Sequence, residues 1–150
     1  MIVIGYPGVG KSTVSKKNTK CVDFDSSMFP KEDGWEELYV QRAESLSNQG
    51  FIVFVSAHKK VQDLLLESKE EVSVIYPSLR LHDFWIQKLK DRYEEHGSEE
   101  NKRALYRCVS HYCEDILELE ALPFKKTVID KEDYDLTELF NNNNSNVTTE

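Results

Sequence analysis

The sequence predicts an α/β protein of three layers, in which helices cover both faces of a five-stranded parallel sheet. Short apolar segments alternate with amphipathic helical patterns along the 150 residues, an alternation typical of this class. Residues 51–55 read Phe-Ile-Val-Phe-Val, a continuous run of aromatic and β-branched residues that favours a parallel strand buried on both faces. A glycine-rich stretch at residues 5–13 separates the first strand from the first helix, and we expect that first strand to be central.

The same patterns place each element along the chain. Strands are predicted at residues 2–4, 21–24, 51–55, 72–76 and 126–129. Helices are predicted at residues 13–17, 35–48, 59–67, 82–95 and 98–122, with a final helical turn at 136–140. In the fourth helix the predicted apolar positions are Phe84, Ile86, Leu89 and Tyr93, and in the fifth they are Leu105, Cys108, Tyr112, Ile116 and Leu119. Residues 1–140 are therefore expected to form one domain, followed by a disordered polar tail at 141–150 that contains four consecutive asparagines.

Composition limits the classes of function. The net charge is −8, from 19 basic and 27 acidic residues, which disfavours a long nucleic acid as the partner. No apolar run approaches the roughly 20 residues that span a bilayer, and the first strand begins too early to leave room for a targeting peptide. We therefore expect a cytoplasmic protein without a membrane partner, either a monomer or a homodimer. The three cysteines, Cys21, Cys108 and Cys113, are expected to be reduced and to fill the core.

The glycine-rich stretch matches a phosphate-binding pattern. Residues Gly5, Gly10, Lys11 and Ser12 satisfy G-x-x-x-x-G-K-[ST] between a strand and a helix. In such a loop, glycines allow successive N–H groups to face one anion, the lysine reaches the β and γ phosphates, and the hydroxyl binds Mg²⁺. The sequence therefore predicts that ATP and Mg²⁺ are bound by Gly8, Val9, Gly10, Lys11, Ser12 and Thr13. The alternative is a glycine-rich turn with an ordinary lysine.

Polar side chains follow the second and third strands, where ligands bind in open α/β sheets. Asp23 and Asp25 end the second strand, and we expect them to face the phosphates, with helix capping as the alternative role. Ser56, His58 and Lys59 follow the third strand and are candidates for binding the phosphate acceptor. His58 is equally compatible with the first position of the next helix.

The pattern resembles the small P-loop kinases over about residues 1–140, which implies a P-loop NTPase fold with the strand order 2-3-1-4-5. The run Asp23-Phe24-Asp25 looks like the D-x-D element of shikimate kinase. That resemblance implies that Asp23 orders Mg²⁺ together with Ser12 and that Asp25 contacts the accepting hydroxyl. The chain departs from that family because it has no glycine-rich substrate loop.

Nucleoside monophosphate kinases offer a second resemblance. They carry an Asp-Gly-aromatic-Pro-Arg stretch after the third strand, where this chain has Ser-Ala-His-Lys-Lys at residues 56–60 and lacks the arginine. They also carry an arginine-rich lid after the fourth strand, which corresponds here to residues 82–122 around Gly97. The basic residues of this region are Lys88, Arg92, Arg103 and Arg107.

The lid residues are spaced as two pairs, each four residues apart and therefore on one helical face. The resemblance implies catalytic roles for Arg92, Arg103 and Arg107 beside Lys11 and Asp25, with ordinary pairing to neighbouring glutamates as the alternative. The chain also resembles a group of small nucleotide kinases encoded by bacterial viruses, through its Asp-Ser-Ser, Phe-Val-Ser-Ala-His and Tyr-Pro-Ser runs at residues 25–27, 54–58 and 76–78.

The sequence thus predicts an ATP-dependent kinase with a small phosphate acceptor. A GTPase is disfavoured because the chain has no Asn-Lys-x-Asp run, and a motor ATPase because the third strand ends in Ser-Ala-His rather than in an aspartate. A (deoxy)nucleoside monophosphate is the preferred acceptor because the lysines and arginines would otherwise lack an anionic ligand. The alternatives are a hydroxylated metabolite, a polynucleotide 5′ end, or a non-catalytic ATP-binding switch.

Overall fold

The sheet is built from five parallel strands, with the first strand at its centre. The computed structural model describes residues 1–139, apart from the side chain of Met28. The strands are β1 Ile2–Gly5, β2 Cys21–Asp23, β3 Ile52–Ser56, β4 Val72–Pro77 and β5 Lys125–Ile129. Their order is β2-β3-β1-β4-β5, and every neighbouring pair is parallel. The predicted α/β class, the central first strand and the strand order are confirmed.

Helices connect the strands close to the predicted positions. They are α1 Lys11–Lys17, α2 Trp35–Asn48, α3 Lys59–Leu65, α4 His82–Glu95 and α5 Glu99–Glu120, with short 3-10 turns at Ser26–Met28 and Leu79–Leu81. Residues 136–139 are also helical, whereas residue 140 and the predicted tail at 141–150 lie outside the described residues. Helix α1 begins two residues earlier than predicted because Gly10, at φ 107°, turns the chain directly into it.

The register brings the strand ends to one edge. Ile4 of β1 lies opposite Val55 of β3 and Val74 of β4, so Gly5 is level with Ser56. Residues 2–4 of β1 are fully buried, which requires that protein cover both faces of the central strand. The loop after β1 therefore leaves the sheet at the edge where β2 and β3 end.

The two long helices after β4 pack against each other and differ in how well their buried faces were predicted. In α5, Cys108, Tyr112, Ile116 and Leu119 are buried as expected, although the helix has a non-helical residue at His111. In α4, the predicted positions omit Trp85, which is completely buried. The omission was wrong because Trp85 lies one helical turn before the buried Leu89, on the same face, and packs under the glycine-rich loop.

Two further expectations concern the membrane and the cysteines. Within residues 1–139, no helix combines the length and the hydrophobicity required to cross a bilayer. Cys21 and Cys108 are buried, but Cys113 is exposed. The expectation that all three cysteines fill the core is therefore wrong for Cys113, which lies on the solvent side of α5.

The buried stripe of α5 can be tested with two leucines of one helix. We expect Leu119→Ala to lower the free energy of unfolding by about 2–5 kcal/mol, because a buried leucine leaves a cavity. Leu117 is 48% exposed, so Leu117→Ala should change the stability by less than about 0.5 kcal/mol. Urea denaturation measures both values, and equal losses would contradict the assignment of the buried face.

Candidate phosphate-binding site

The loop between β1 and α1 has a backbone conformation that depends on glycine. Gly8 and Gly10 have φ values of 90° and 107°, in the left-handed region that other residues rarely adopt. Helix α1 makes its first backbone hydrogen bond from the Val14 N–H to the Gly10 carbonyl, at 3.1 Å. The N–H groups of residues 11–13 therefore have no partner within the helix.

Two carbonyl oxygens of this loop accept hydrogen bonds from Trp85 of α4 and from Tyr134, which follows β5. Trp85 Nε1 donates to the Pro7 carbonyl at 2.8 Å, and the Tyr134 hydroxyl donates to the Val9 carbonyl at 2.8 Å. In a trans peptide the carbonyl and the following N–H point in opposite directions. The N–H groups of Gly8 and Gly10 consequently point away from Trp85 and Tyr134, and N–H groups that face one side of a turn can form an anion-binding concavity.

Gly8 is restricted by packing as well as by its backbone conformation. A Cβ at this position would lie 3.0 Å from Leu89 Cδ2 and 3.0 Å from Trp85 Nε1. Both atoms belong to α4, so this helix approaches the loop as closely as a glycine permits. The contact explains why the buried face of α4 contains Trp85.

Lys11 lies among charged side chains at the start of α1. Its Nζ is 3.4 Å from the Gly5 carbonyl, a long hydrogen bond. Burial lowers the pKa of Lys11, while the negative charges of Asp23, Asp25 and Glu100 oppose that shift. The ammonium group is therefore placed near the ends of β1 and β2 without a close ion pair among the described residues.

The two predicted aspartates have different environments. Burial raises the pKa of Asp23, and the Lys11 charge acts in the opposite direction. Asp25 accepts a hydrogen bond from the Ser27 N–H at 2.9 Å, so it caps the short turn that follows. Burial acts to raise the pKa of Asp25, but the bond from Ser27 and a hydrogen bond shared with Glu100 hold it below its ordinary value. The capping role is confirmed, and it also holds Asp25 within the field of Lys11.

Glu100 is a member of this cluster that the sequence did not reveal. Partial desolvation and the hydrogen bond with Asp25 raise the pKa of Glu100. The residue lies in the first turn of α5, 75 positions after Asp25. Only the packing of α5 brings the two carboxyl groups together, and no local sequence signal predicts it.

Polar groups at the end of β3 form a chain of hydrogen bonds with the turn after β2. Ser56 Oγ donates to Ser26 Oγ at 2.9 Å, and Ser26 Oγ lies 3.1 Å from His58 Nε2. Desolvation lowers the pKa of His58, and the charges of Lys31 and Lys11 lower it further. The imidazole is therefore neutral near pH 7, and its Nε2 can accept the Ser26 proton. Ser56 and His58 thus fix the segment that contains Asp25.

The predicted basic residues separate into two groups. The charge of Arg92 perturbs the pKa of Lys11 and of Asp23, and that of Arg103 perturbs the pKa of His58, although both residues are exposed. Arg107 lies elsewhere, in a bidentate pair with Asp115 at 2.7 and 3.0 Å. Arg103 and Arg107 therefore do not act as one basic face.

The lysines after β3 are turned towards the surface. Lys59 pairs with Asp63 at 3.2 Å, and Lys60 pairs with Glu37 at 3.0 Å, in exposed ion pairs. Such pairs are weak and exchange readily. The structure does not bring Lys59 to the cluster around Lys11.

The residues fit a magnesium site that is completed by phosphates rather than a closed protein cage. In residues 1–139, no group of three or more His, Cys, Asp or Glu side chains is arranged to hold a metal ion. Mg²⁺ in phosphoryl-transfer sites usually keeps several waters and binds one or two protein oxygens together with the substrate. Ser12 is exposed in the first turn of α1 and, with Asp23, offers such oxygens.

No protein-family model matches the chain, and no curated protein matches it significantly. The residues of the site are the guide to its chemistry. They combine backbone N–H groups, a lysine and carboxylates at one edge of a parallel sheet, which is a set suited to holding a polyphosphate together with a metal ion.

The packing of the loop on α4 gives a testable difference between two glycines. Gly8→Ala should destabilise the protein by about 1–3 kcal/mol from backbone strain, and by a further amount because the new Cβ displaces Trp85. Gly50 also has a positive φ, of 97°, but a Cβ there would meet nothing within 4 Å. Gly50→Ala is therefore the matched control for strain alone.

Unfolding curves and the fluorescence of Trp85 measure the two contributions, with Trp35 as the second tryptophan. We expect Gly8→Ala to lose more stability than Gly50→Ala and to shift the tryptophan emission. Equal losses with unchanged emission would mean that α4 does not support the loop.

Proposed function

We propose that this protein is a P-loop kinase that transfers the γ-phosphoryl group of ATP to a small acceptor. The observation that supports this most is that the Pro7 and Val9 carbonyl groups accept hydrogen bonds from Trp85 and Tyr134, so that the N–H groups of Gly8 and Gly10 point to the opposite side. This arrangement occurs at the G-x-x-x-x-G-K-[ST] motif and at the switch point of the sheet, where open α/β folds bind ligands. The P-loop NTPase fold is part of the proposal.

Each residue of the loop has a role in holding ATP. The N–H groups of Gly8, Gly10 and residues 11–13 bind phosphate oxygens, and the Lys11 ammonium reaches the β and γ phosphates. Ser12 and Asp23 would hold Mg²⁺, which would supply positive charge to offset that of the phosphates during transfer. Catalysis then depends mainly on positioning and on charge, for which these side chains are suited.

Asp25 is the proposed contact for the accepting hydroxyl. Its lowered pKa keeps the carboxylate ionised at neutral pH, so it can accept a hydrogen bond from that hydroxyl and take its proton late in the transfer. Its place in the field of Lys11 favours an enzyme over a non-catalytic switch, because a switch has no need of a proton acceptor beside the γ-phosphate.

The acceptor that we propose is a (deoxy)nucleoside monophosphate. An acceptor that already carries a phosphate needs a second cationic site, and Arg92 and Arg103 are the candidates because their charges perturb the pKa of Lys11 and of His58. A neutral polyol would leave these guanidinium groups without an anionic ligand. The net charge of −8 disfavours a long polynucleotide, for which a basic stripe is expected.

ATP binding can be tested with two lysines of helix α1. We expect Lys11→Met to weaken Mg·ATP binding by about 10–100-fold, because hydrogen bonds to charged groups contribute about 1.5–3 kcal/mol. Lys16→Met removes an exposed lysine from the same helix and should bind ATP like the parent. Titration calorimetry measures both affinities. Equal ATP affinity in Lys11→Met and the parent would overturn the assignment of the phosphate loop.

The acceptor can be identified from ADP release. A panel of nucleoside monophosphates, deoxynucleoside monophosphates, shikimate-like polyols and 5′-hydroxyl oligonucleotides should show turnover with one or more of the monophosphates. Arg92→Ala should then raise the acceptor KM by about tenfold, the loss of one charged hydrogen bond. Arg107→Ala should change this KM by less than about twofold, because Arg107 is paired with Asp115.

The outcomes of this panel are distinct. Turnover with a polyol or an oligonucleotide alone would exclude the monophosphate acceptor but retain the kinase. Tight ATP binding without turnover of any acceptor, together with a stable protein partner, would favour the ATP-binding switch.

A further inference from the structure

We propose that Tyr134 and Lys88 are positioning residues that hold the phosphate loop in the conformation that binds a polyphosphate. Neither residue lies in the loop or in its sequence motif: Lys88 belongs to α4, and Tyr134 follows β5. The proposal rests on the proposed function, since it concerns how the same loop recognises phosphate. A relay of two hydrogen bonds leads from Lys88 through Tyr134 to the Val9 carbonyl of the loop.

The Tyr134 hydroxyl forms hydrogen bonds with both Val9 and Lys88. It donates to the Val9 carbonyl at 2.8 Å, with the Gly8 carbonyl farther away at 3.3 Å. It also accepts a hydrogen bond from Lys88 Nζ at 2.6 Å. Burial raises the pKa of Tyr134 to about 12, so the hydroxyl keeps its proton and remains a donor. A phenol has one proton to donate, and the shorter distance assigns that proton to Val9.

Lys88 is held over two aromatic rings. Its Nζ lies 4.6 Å from the ring centroid of Trp85 and 4.7 Å from that of Tyr134, within the range of a cation–π interaction. These rings are stacked with their centroids 6.0 Å apart. Burial, and secondarily the charge of Arg92, lowers the pKa of Lys88 to about 8, so the ammonium form prevails at pH 7. A charged donor polarises the hydroxyl that accepts from it and strengthens the bond which that hydroxyl donates.

These hydrogen bonds orient the peptide group between Val9 and Gly10. Gly10 has no Cβ to restrict rotation of that peptide, and its φ of 107° is one of several conformations open to glycine. Without the Tyr134 hydroxyl, the Val9 carbonyl is free to turn towards the phosphate side, where its negative end would repel an anion and the Gly10 N–H would be lost as a donor. The hydrogen bonds from Lys88 to Tyr134 and from Tyr134 to Val9 therefore favour the orientation in which the Gly10 N–H faces the phosphate.

Packing alone does not account for Lys88. Lys88 is half-buried, and burial lowers the pKa of its ammonium group. A methionine would fill a similar volume without the free-energy cost of removing a charge from water. The charge is explained if its hydrogen bond to Tyr134 is needed. A role in orienting the loop also differs from a role in the core, because it affects the affinity for phosphates more than the stability of the fold.

The test uses variants that remove single interactions and keep the volume. Tyr134→Phe deletes one oxygen, Lys88→Met deletes the charge, and the double variant combines them. Calorimetry gives the Kd of each for Mg·ATP and for inorganic tripolyphosphate with Mg²⁺, which reports the phosphate contacts without the nucleoside. Thermal unfolding reports the stability. Lys90→Met, from the exposed face of α4, and Tyr106→Phe, from the exposed face of α5, are the matched controls.

We expect each single variant to weaken both ligands by about tenfold, the loss of about one hydrogen bond. Because Lys88 acts through Tyr134, the double variant should be little weaker than Tyr134→Phe, a non-additivity that independent packing losses would not show. Lys88→Arg keeps a charged donor and should recover part of the affinity. The two controls should bind both ligands like the parent.

Each contrary result has a separate meaning. A parent protein that binds neither ATP nor tripolyphosphate would overturn the proposed function and this proposal with it. A parent that binds both ligands, with unchanged Kd values in Tyr134→Phe and Lys88→Met, would overturn only the positioning role. Losses that add in the double variant would overturn the relay through Tyr134. If Tyr134→Phe does not fold, an unchanged Kd in Lys88→Met alone overturns the proposal.

Discussion

The loop after β1 can present the N–H groups of Gly8 and Gly10 to an anion because the carbonyl groups of Pro7 and Val9 have partners on the other side. Each peptide is planar, so orienting one end orients the other. Trp85 and Tyr134 supply those partners from two distant parts of the chain. The packing of α4 beneath the loop, and of the segment after β5 beside it, therefore fixes how these two peptides are oriented.

The strand order then decides which side chains surround the loop. Because β1 lies between β3 and β4, with β2 beyond β3, the chain segments after β2 and β3 end near the start of α1. This brings Asp23 and Asp25 into the field of Lys11 and lets Ser56 bond to the turn that contains Asp25. The order of strands in a parallel sheet thus acts directly on the charge environment of one lysine.

Opposing charges act on Lys11 before any ligand binds. Three carboxyl groups attract its ammonium group, and Arg92 repels it. In the proposed function, a polyphosphate would add negative charge beside these carboxylates. Mg²⁺ and the arginines would then be required to offset repulsion, which gives a physical reason for metal dependence in a site whose own side chains include acids.

The sequence alone determined the features that depend on local pattern. The alternation of apolar segments predicted every strand, and the motif predicted a glycine-dependent turn at Gly8 and Gly10. Such features are local because backbone conformation and strand formation depend mainly on neighbouring residues. Helix α2 and helix α4 were predicted with the bounds that the structure has.

Tertiary structure alone decided which distant groups meet. The loop is contacted by Trp85 and Tyr134, and Asp25 by Glu100, although no local sequence motif predicts these contacts. Arg107 instead pairs with Asp115, on the other side of the irregular residue His111. The sequence spacing of Arg103 and Arg107 predicted one shared face, but spacing along a helix cannot predict which partner each side chain finds. Contacts between elements depend on how the helices pack on the sheet, and that packing is set by the whole core rather than by any single segment.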